Sequence, residues 1–177
     1  MSALDGLRTM GVVLNPPYVG EWPRKVGQYM LNFGAIELIS YQHLILLEPT
    51  RESFNENLDR LLGERIKRLL TLLQASPKLT DETKNELKVL WGEARELAIW
   101  RNRIAHNPVL PTWKPGSDSE HNPPDLLGVP DMKQLKVSNI TDSISIEGMN
   151  KLIDASADLG QRLHTASRKL QVAIEGT

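Results

Sequence analysis

The chain has 177 residues, 40% apolar and 24% charged, which is the length and composition of one globular domain and counts against disordered, collagen-like or rod-like classes. A net charge of −1 gives no general affinity for nucleic acid, so any such contact must come from a local basic patch. The absence of cysteine excludes disulfides and thiolate chemistry. No apolar run has the length of a signal peptide or a membrane span, and we expect a cytoplasmic protein with no membrane partner.

The first part of the chain predicts an irregular arm followed by two helices. Residues 1–22 are interrupted by glycine and proline and form the arm. A first helix is predicted from Arg24 to Leu47, where apolar residues recur at three- and four-residue steps, and Pro49 ends it. A second helix is predicted from Arg51 to Gln74, with Thr50 or Ser53 as its N-cap.

A third helix is predicted from Thr80 to His106. Thr80 is a good N-cap, and the two acidic residues after it suit the positive end of the helix dipole. The apolar stripe of this helix continues as far as Arg101. Pro108 disfavours helical geometry at the residue before it, so the helix should end near His106.

The C-terminal part predicts a long connection and a last helix. Residues 107–133 contain six prolines and are predicted to form a loop. Weak alternation over 135–140 and 143–146 predicts a small hairpin, and a last helix follows from Glu147 to Ile174. The whole chain, 1–177, is therefore predicted to be a single all-α domain, a bundle of four to five helices with up-down packing of at least the first three.

Arg101 lies on the apolar stripe of the third helix, where a guanidinium cannot stay unpaired because burying an isolated charge is very costly. Either it pairs with a carboxylate, or the stripe opens there into a cleft or an interface. Glu37, on the stripe of the first helix, is a candidate partner for Arg101. The alternative for Glu37 is a glutamate at the rim of the core that faces solvent.

Asn102 and His106 are four residues apart and share another face of the same helix. Arg101 and His106 are five apart, which is roughly 140° around an ideal helix. They converge on one ligand only if the helix end unwinds or if the site is shared between subunits. Asn107-Pro108 supplies a reason for unwinding.

The segment Arg101-Asn102-Arg103-Ile104-Ala105-His106 resembles the motif of the HEPN superfamily, in which four to six residues separate Arg from His and a polar residue follows the Arg. The resemblance implies a HEPN-like all-α bundle and a metal-independent endoribonuclease of toxin or defence type, without a cofactor, whose site is shared across a homodimer. It implies that His106 acts in general acid–base catalysis, that Arg101 stabilises charge on the phosphate, and that Asn102 orients one of them.

Other residues are weaker candidates for contacts with RNA, since charged runs are usually solvated faces. They are Arg95, Arg103 and Trp113, and beyond these Arg65, Lys67 and Arg68. His43 lies one position from the core face of the first helix and is interpreted as a surface or packing residue. No spacing of His, Asp and Glu resembles a metal site.

Two other functions remain open. One is a catalytically silent HEPN-like module that dimerises or binds a partner, which the near-neutral charge favours. The other is an unrelated helical bundle whose Arg-x4-His pattern is accidental. For the ribonuclease, the expected partners are RNA, a second copy of the chain, and an antitoxin or other protein.

Overall fold

The computed structural model describes residues 21–106, 110–114, 129–136 and 143–176. The predicted arm lies outside this part of the chain, except for its last two residues. The described helices are α1 (Trp22–Leu47), α2 (Arg51–Leu58), α3 (Leu62–Ala75), α4 (Asp81–His106) and α5 (Ile146–Glu175). The described strands are β1 (Leu110–Lys114), β2 (Val129–Lys136) and β3 (Ser143–Ser145). A helical core with one small sheet confirms the predicted all-α class in its coarse form.

The first, third and last predicted helices are confirmed to within two residues at each end. Residues that favour helix ends lie at several of these boundaries. A proline in the first turn of α1 suits that position, where no backbone N–H is needed for the helix. The Ser145 side chain caps α5 by accepting a hydrogen bond from the Gly148 N–H at 3.0 Å. Gly176 ends α5 in the left-handed region, with φ 76°, which glycine adopts without strain.

The second predicted helix is wrong as a single element, because the chain breaks at residues 59–61 into α2 and α3. The Thr50 hydroxyl caps α2 by accepting from the Ser53 N–H at 3.1 Å, so the alternative N-cap, Ser53, is not used. The side chain of Arg65 donates to the carbonyl of Arg60 at 2.5 Å and thereby holds the break. Leu61, in the break, is 75% exposed, although it fits the apolar pattern of the chain on either side.

The helices alternate in direction. α1 and α5 run the same way, whereas α4 runs against α5. The side-chain contacts that fix these directions are Asn32 with Ser156, His43 with Ser167, Glu93 with Arg162, and Glu86 with Lys169. The short helix α2 returns along α1, since the Tyr41 hydroxyl meets the carbonyl of Leu58 and the Ser53 hydroxyl meets Glu48. The predicted up-down order therefore holds only once the second helix is divided in two.

Two groups of buried side chains hold the bundle together. The larger group joins α1, α3, α4 and α5; its largest fully buried members are Phe33, Ile36, Leu44, Ile66, Leu69, Leu73, Leu87, Trp91 and Leu159. The smaller group lies where α4 ends and α5 begins, and consists of Trp22, Tyr29, Ile104, Ile144 and Met149. Burial of Ile104 and Trp22 packs the last turn of α4 against the first turn of α1, which positions the motif.

The predicted loop at 107–133 is partly wrong, because β1 and the start of β2 lie within it. The three strands form an antiparallel sheet in the order β1-β2-β3. Pro111 lies in the edge strand β1, where a missing N–H is tolerated, and the pairing shifts register beside it. The predicted hairpin is present in shifted form: Leu135 pairs with Ile144, but residue 146 already belongs to α5.

Helix α1 is also the one helix in the described residues that is long and apolar enough to cross a membrane, judged by length and composition. A third of its most apolar window, 33%, is buried inside the bundle. A core helix passes the same test, so this property by itself is weak support for a membrane span. Two leucines of this helix, Leu31 and Leu38, are exposed to solvent.

Candidate functional site

Arg101 pairs with Glu37, the partner that its place on the apolar stripe predicted. The Arg101 Nη2 atom lies 3.7 Å from Glu37 Oε1, and the two side chains are 27% and 29% exposed. The stripe thus opens to solvent at this point, and the charge is not deeply buried. The pair joins the middle of α1 to the last turns of α4.

Asn102 lies beside this pair on the exposed surface of α4. Its Oδ1 atom accepts a hydrogen bond from Arg101 Nη1 at 3.1 Å. The guanidinium is therefore held from two sides, by Glu37 and by Asn102. The orienting role that the resemblance implies for Asn102 stays a prediction.

Tyr29 is a positioning residue that the sequence analysis missed. Its hydroxyl donates to the carbonyl of Leu97 at 2.7 Å, and the side chain is fully buried. Burial raises the pKa of Tyr29 far above its ordinary value, while the backbone N–H and the charge of Arg101 act in the opposite direction. The phenol stays neutral and fixes α4 one turn before Arg101. Its signal was the four-residue step that places Tyr29, Phe33 and Glu37 on one face.

Helix α4 continues through His106, so the predicted unwinding before this residue is absent. Arg101 and His106 keep the separation of an ideal helix, roughly 140° around its axis. The His106 side chain lies outside the described part of the structure. Within one protomer the helix does not turn the two positions towards the same side.

The two weaker candidates next to the motif have different outcomes. The Arg103 guanidinium lies over the ring of Trp100, 5.1 Å from its centroid, a distance at which a cation–π attraction operates. Trp113 belongs to β1, and its side chain lies outside the described residues. No geometry therefore links Trp113 to the motif.

The other basic candidates divide into structural and solvent-facing residues. Arg65 is buried and donates to the hydroxyl groups of Ser40 and Tyr41, at 3.0 and 2.7 Å. Arg68 forms an ion pair with Glu48 at 2.7 Å. Lys67 and Arg95 instead line a cleft of about 680 Å³ between α3 and α4. Of the three basic residues at 65–68, Arg65 and Arg68 therefore stabilise the fold, and Lys67 faces the cleft.

His43 is more buried than its place beside the core face suggested. Trp91 Nε1–H donates to His43 Nδ1 at 3.3 Å, which leaves the hydrogen on Nε2 to be donated to Ser167 Oγ at 2.6 Å. The Ser167 hydroxyl in turn donates to the carbonyl of Leu163 at 2.8 Å. Burial lowers the pKa of His43 from 6.5 to about 4, so the neutral imidazole is the folded form.

The described side chains include no group of three or more His, Asp or Glu residues that could hold a metal ion. A comparison of the chain with models of known protein families, with curated proteins and with solved structures finds no match. Function is therefore inferred from the residues themselves.

Proposed function

We propose that this protein is a metal-independent endoribonuclease of toxin or defence type, resembling the HEPN superfamily, with a site shared across a homodimer. The observation that carries the proposal is Arg101: it is held by Glu37 and Asn102 at a partly open point of the apolar stripe, five residues before a histidine at the helix end. The Arg101 side chain is 27% exposed, so its guanidinium can be reached from solvent.

The chemistry needs one base, one acid and one cation. The RNA 2′-hydroxyl attacks the adjacent phosphorus, a bond from the 2′-oxygen to phosphorus forms, and the bond to the 5′-oxygen breaks. His106 takes the proton of the 2′-hydroxyl as the base, and the imidazolium so formed gives a proton to the leaving 5′-oxygen as the acid, a role that a pKa near neutrality suits. The planar guanidinium of Arg101 binds the phosphate oxygens as negative charge builds on them.

A shared site follows from the angle between the two residues. Since α4 stays helical through His106, one protomer cannot easily present Arg101 and His106 to the same phosphate. A twofold axis beside the end of α4 would bring Arg101 of one protomer towards His106 of the other. We therefore propose the second of the two alternatives that the sequence left open, a site shared between subunits.

An apolar stripe on the outer side of α1 supports the homodimer. Leu31, Leu38 and Ile45 repeat at seven-residue steps and are 74%, 58% and 43% exposed. Gly27 precedes Leu31 and Gly34 lies between Leu31 and Leu38, and a Cβ atom at either glycine would meet nothing within 4 Å. A twofold interface places the same surface of both protomers against itself, and a stripe of exposed apolar side chains is a candidate for such a surface. Leu38 directly follows Glu37, and the Glu37 carboxylate lies 3.7 Å from the Arg101 guanidinium. An interface on this stripe would therefore lie near the motif.

The test is an RNA-cleavage assay with excess EDTA. We expect wild-type protein to cleave single-stranded RNA and His106→Ala to lose cleavage while keeping its circular dichroism spectrum. His164→Ala is the matched control, because His164 is an exposed histidine on α5. Activity that survives His106→Ala, or that requires a divalent metal, would refute the mechanism.

The second candidate function is a silent HEPN-like module that dimerises or binds another protein. The observation that favours it is that the Arg101 guanidinium already has an ion pair with Glu37 and a hydrogen bond to Asn102 within one protomer. A folded, dimeric wild-type protein that leaves varied RNAs intact would support this function over the first. For either function we propose a cytoplasmic protein, with an antitoxin or another protein as a further partner.

A further inference from the structure

A cleft between α3 and α4 combines four cations with no acidic residue. Its basic lining residues are Lys67, Lys84, Lys88 and Arg95. Gly63, Thr71 and Gln74 add small and polar surface, and Leu70 and Leu73 form an apolar floor. In a chain whose net charge is −1, this is a local concentration of one sign of charge. Such a cleft raises the local concentration of anions.

These cations are not used by the fold. Among the described residues, Lys67, Lys88 and Arg95 form no side-chain ion pair or hydrogen bond and are exposed, while the neighbouring Arg65 and Arg68 are occupied. Lys84 makes a single contact, donating to the carbonyl of Gln74 at 3.3 Å. The cleft therefore keeps its positive charge available to a ligand.

The basic face of α4 leads to the motif. From Lys84 the steps to Lys88, Arg95 and Asn102 are four, seven and seven residues, and seven residues of an α-helix fall within about 20° of two full turns. A further step of four reaches the position of His106. The face extends over about 33 Å, at 1.5 Å per residue. One stripe of the helix thus connects the cleft with Asn102, which holds Arg101.

We infer that this cleft binds the phosphate backbone of single-stranded RNA and delivers the strand along α4 to the Arg101–His106 segment. The inference rests on the proposed ribonuclease function and identifies its substrate as an extended strand that occupies both the cleft and the motif. The volume of about 680 Å³ would also admit a mononucleotide, which carries the same phosphate chemistry. Only a strand would use the whole length of the face.

The test measures binding, not cleavage. A fluorescein-labelled, 2′-O-methylated single-stranded oligoribonucleotide, long enough to span the face, lacks the attacking hydroxyl and stays intact. Its anisotropy is titrated with the full-length protein at several salt concentrations. The cleft variant carries Lys67→Gln, Lys88→Gln and Arg95→Gln. The control variant carries Arg51→Gln, Lys151→Gln and Arg168→Gln, three exposed cations elsewhere that change the net charge equally.

We expect the cleft variant to bind at least about tenfold more weakly, with a salt dependence reduced by about two in the slope of log K against log salt, since each lost contact with a single strand removes about 0.7. The control variant should bind like wild type. Equal weakening by both variants, no binding by wild-type protein, or mononucleotide binding as tight as that of the strand would each overturn the inference. Binding of this pattern without cleavage of unmodified RNA would refute the ribonuclease and leave the cleft assignment standing.

Discussion

Arg101 shows that a single charged residue within an apolar pattern can point to its own partner. The sequence left two outcomes open for this guanidinium, a carboxylate partner or an opening of the stripe, and both are found. Glu37, on the facing helix, lies 3.7 Å away, and the Arg101 side chain is 27% exposed. The four-residue step to Phe33 and Glu37 indicates that Tyr29 faces the core, but it does not indicate the hydrogen bond of its hydroxyl, because the acceptor is a backbone carbonyl. The role of His106 stays a prediction.

His43 predicts a fall in stability with acid. Its folded pKa is about 4 and its ordinary value is 6.5, so the unfolded chain takes up a proton first as pH falls. The stability that depends on neutral His43 is complete above pH 6.5 and is lost between pH 6.5 and 4, in total about 3 kcal/mol. Urea unfolding over this range would measure it.

His43→Gln is the informative variant, since its amide can accept from Trp91 and donate to Ser167 without titrating. It should flatten the dependence of the unfolding free energy on pH. His164→Gln, on the exposed surface, should leave the dependence as in wild type. Curves that coincide for all three proteins would show that His43 does not cause the loss.

At the scale of elements, the sequence predicted long helices well and their interruption badly. α1, α4 and α5 have caps, prolines or a terminal glycine that mark their ends. No proline or terminal glycine marks the break between α2 and α3. The leucines on either side of the break continue a helical pattern across it. The break depends on the side chain of Arg65, which reaches back to Arg60 and across to α1, a contact that periodicity does not encode.

Arg65 should therefore matter more for stability than its neighbours. Arg65→Ala removes a buried donor to Ser40, Tyr41 and the carbonyl of Arg60, and leaves these acceptors without it. We expect a loss of about 2–4 kcal/mol in the free energy of unfolding by urea. Lys67→Ala, exposed on the same helix, should change it by no more than about 0.5 kcal/mol. Equal effects would contradict the role given to Arg65.

For the whole molecule, the sequence predicted a helical bundle with the motif at a helix end, and the structure agrees. The six prolines in 107–133 predict a loop and so conceal part of the sheet, because Pro111 and Pro130 lie within strands. The homodimer stays a prediction. The exposed stripe at Leu31, Leu38 and Ile45 could not be told from the buried side of the same helix by periodicity, since apolar residues lie on both sides of it.

The stripe predicts how the dimer can be broken. Leu38→Glu places a charge at the centre of the proposed interface. The variant should sediment as a monomer at concentrations of about tens of micromolar, at which we expect wild type to sediment as a dimer. Val172→Glu is the matched control, because Val172 on α5 is 55% exposed, close to the 58% of Leu38. A dimer that survives Leu38→Glu would place the interface elsewhere.

The central claim is that Arg101 and His106 of different protomers make one RNA-cleaving site. Arg101→Ala and His106→Ala homodimers are both expected to be inactive. When the two variants are unfolded together and refolded as a mixture, half of the dimers are mixed, and each mixed dimer holds one intact site out of two. Cleavage in EDTA should then return to about a quarter of the wild-type rate. A folded, dimeric mixture that stays as inactive as either variant alone would contradict the shared site.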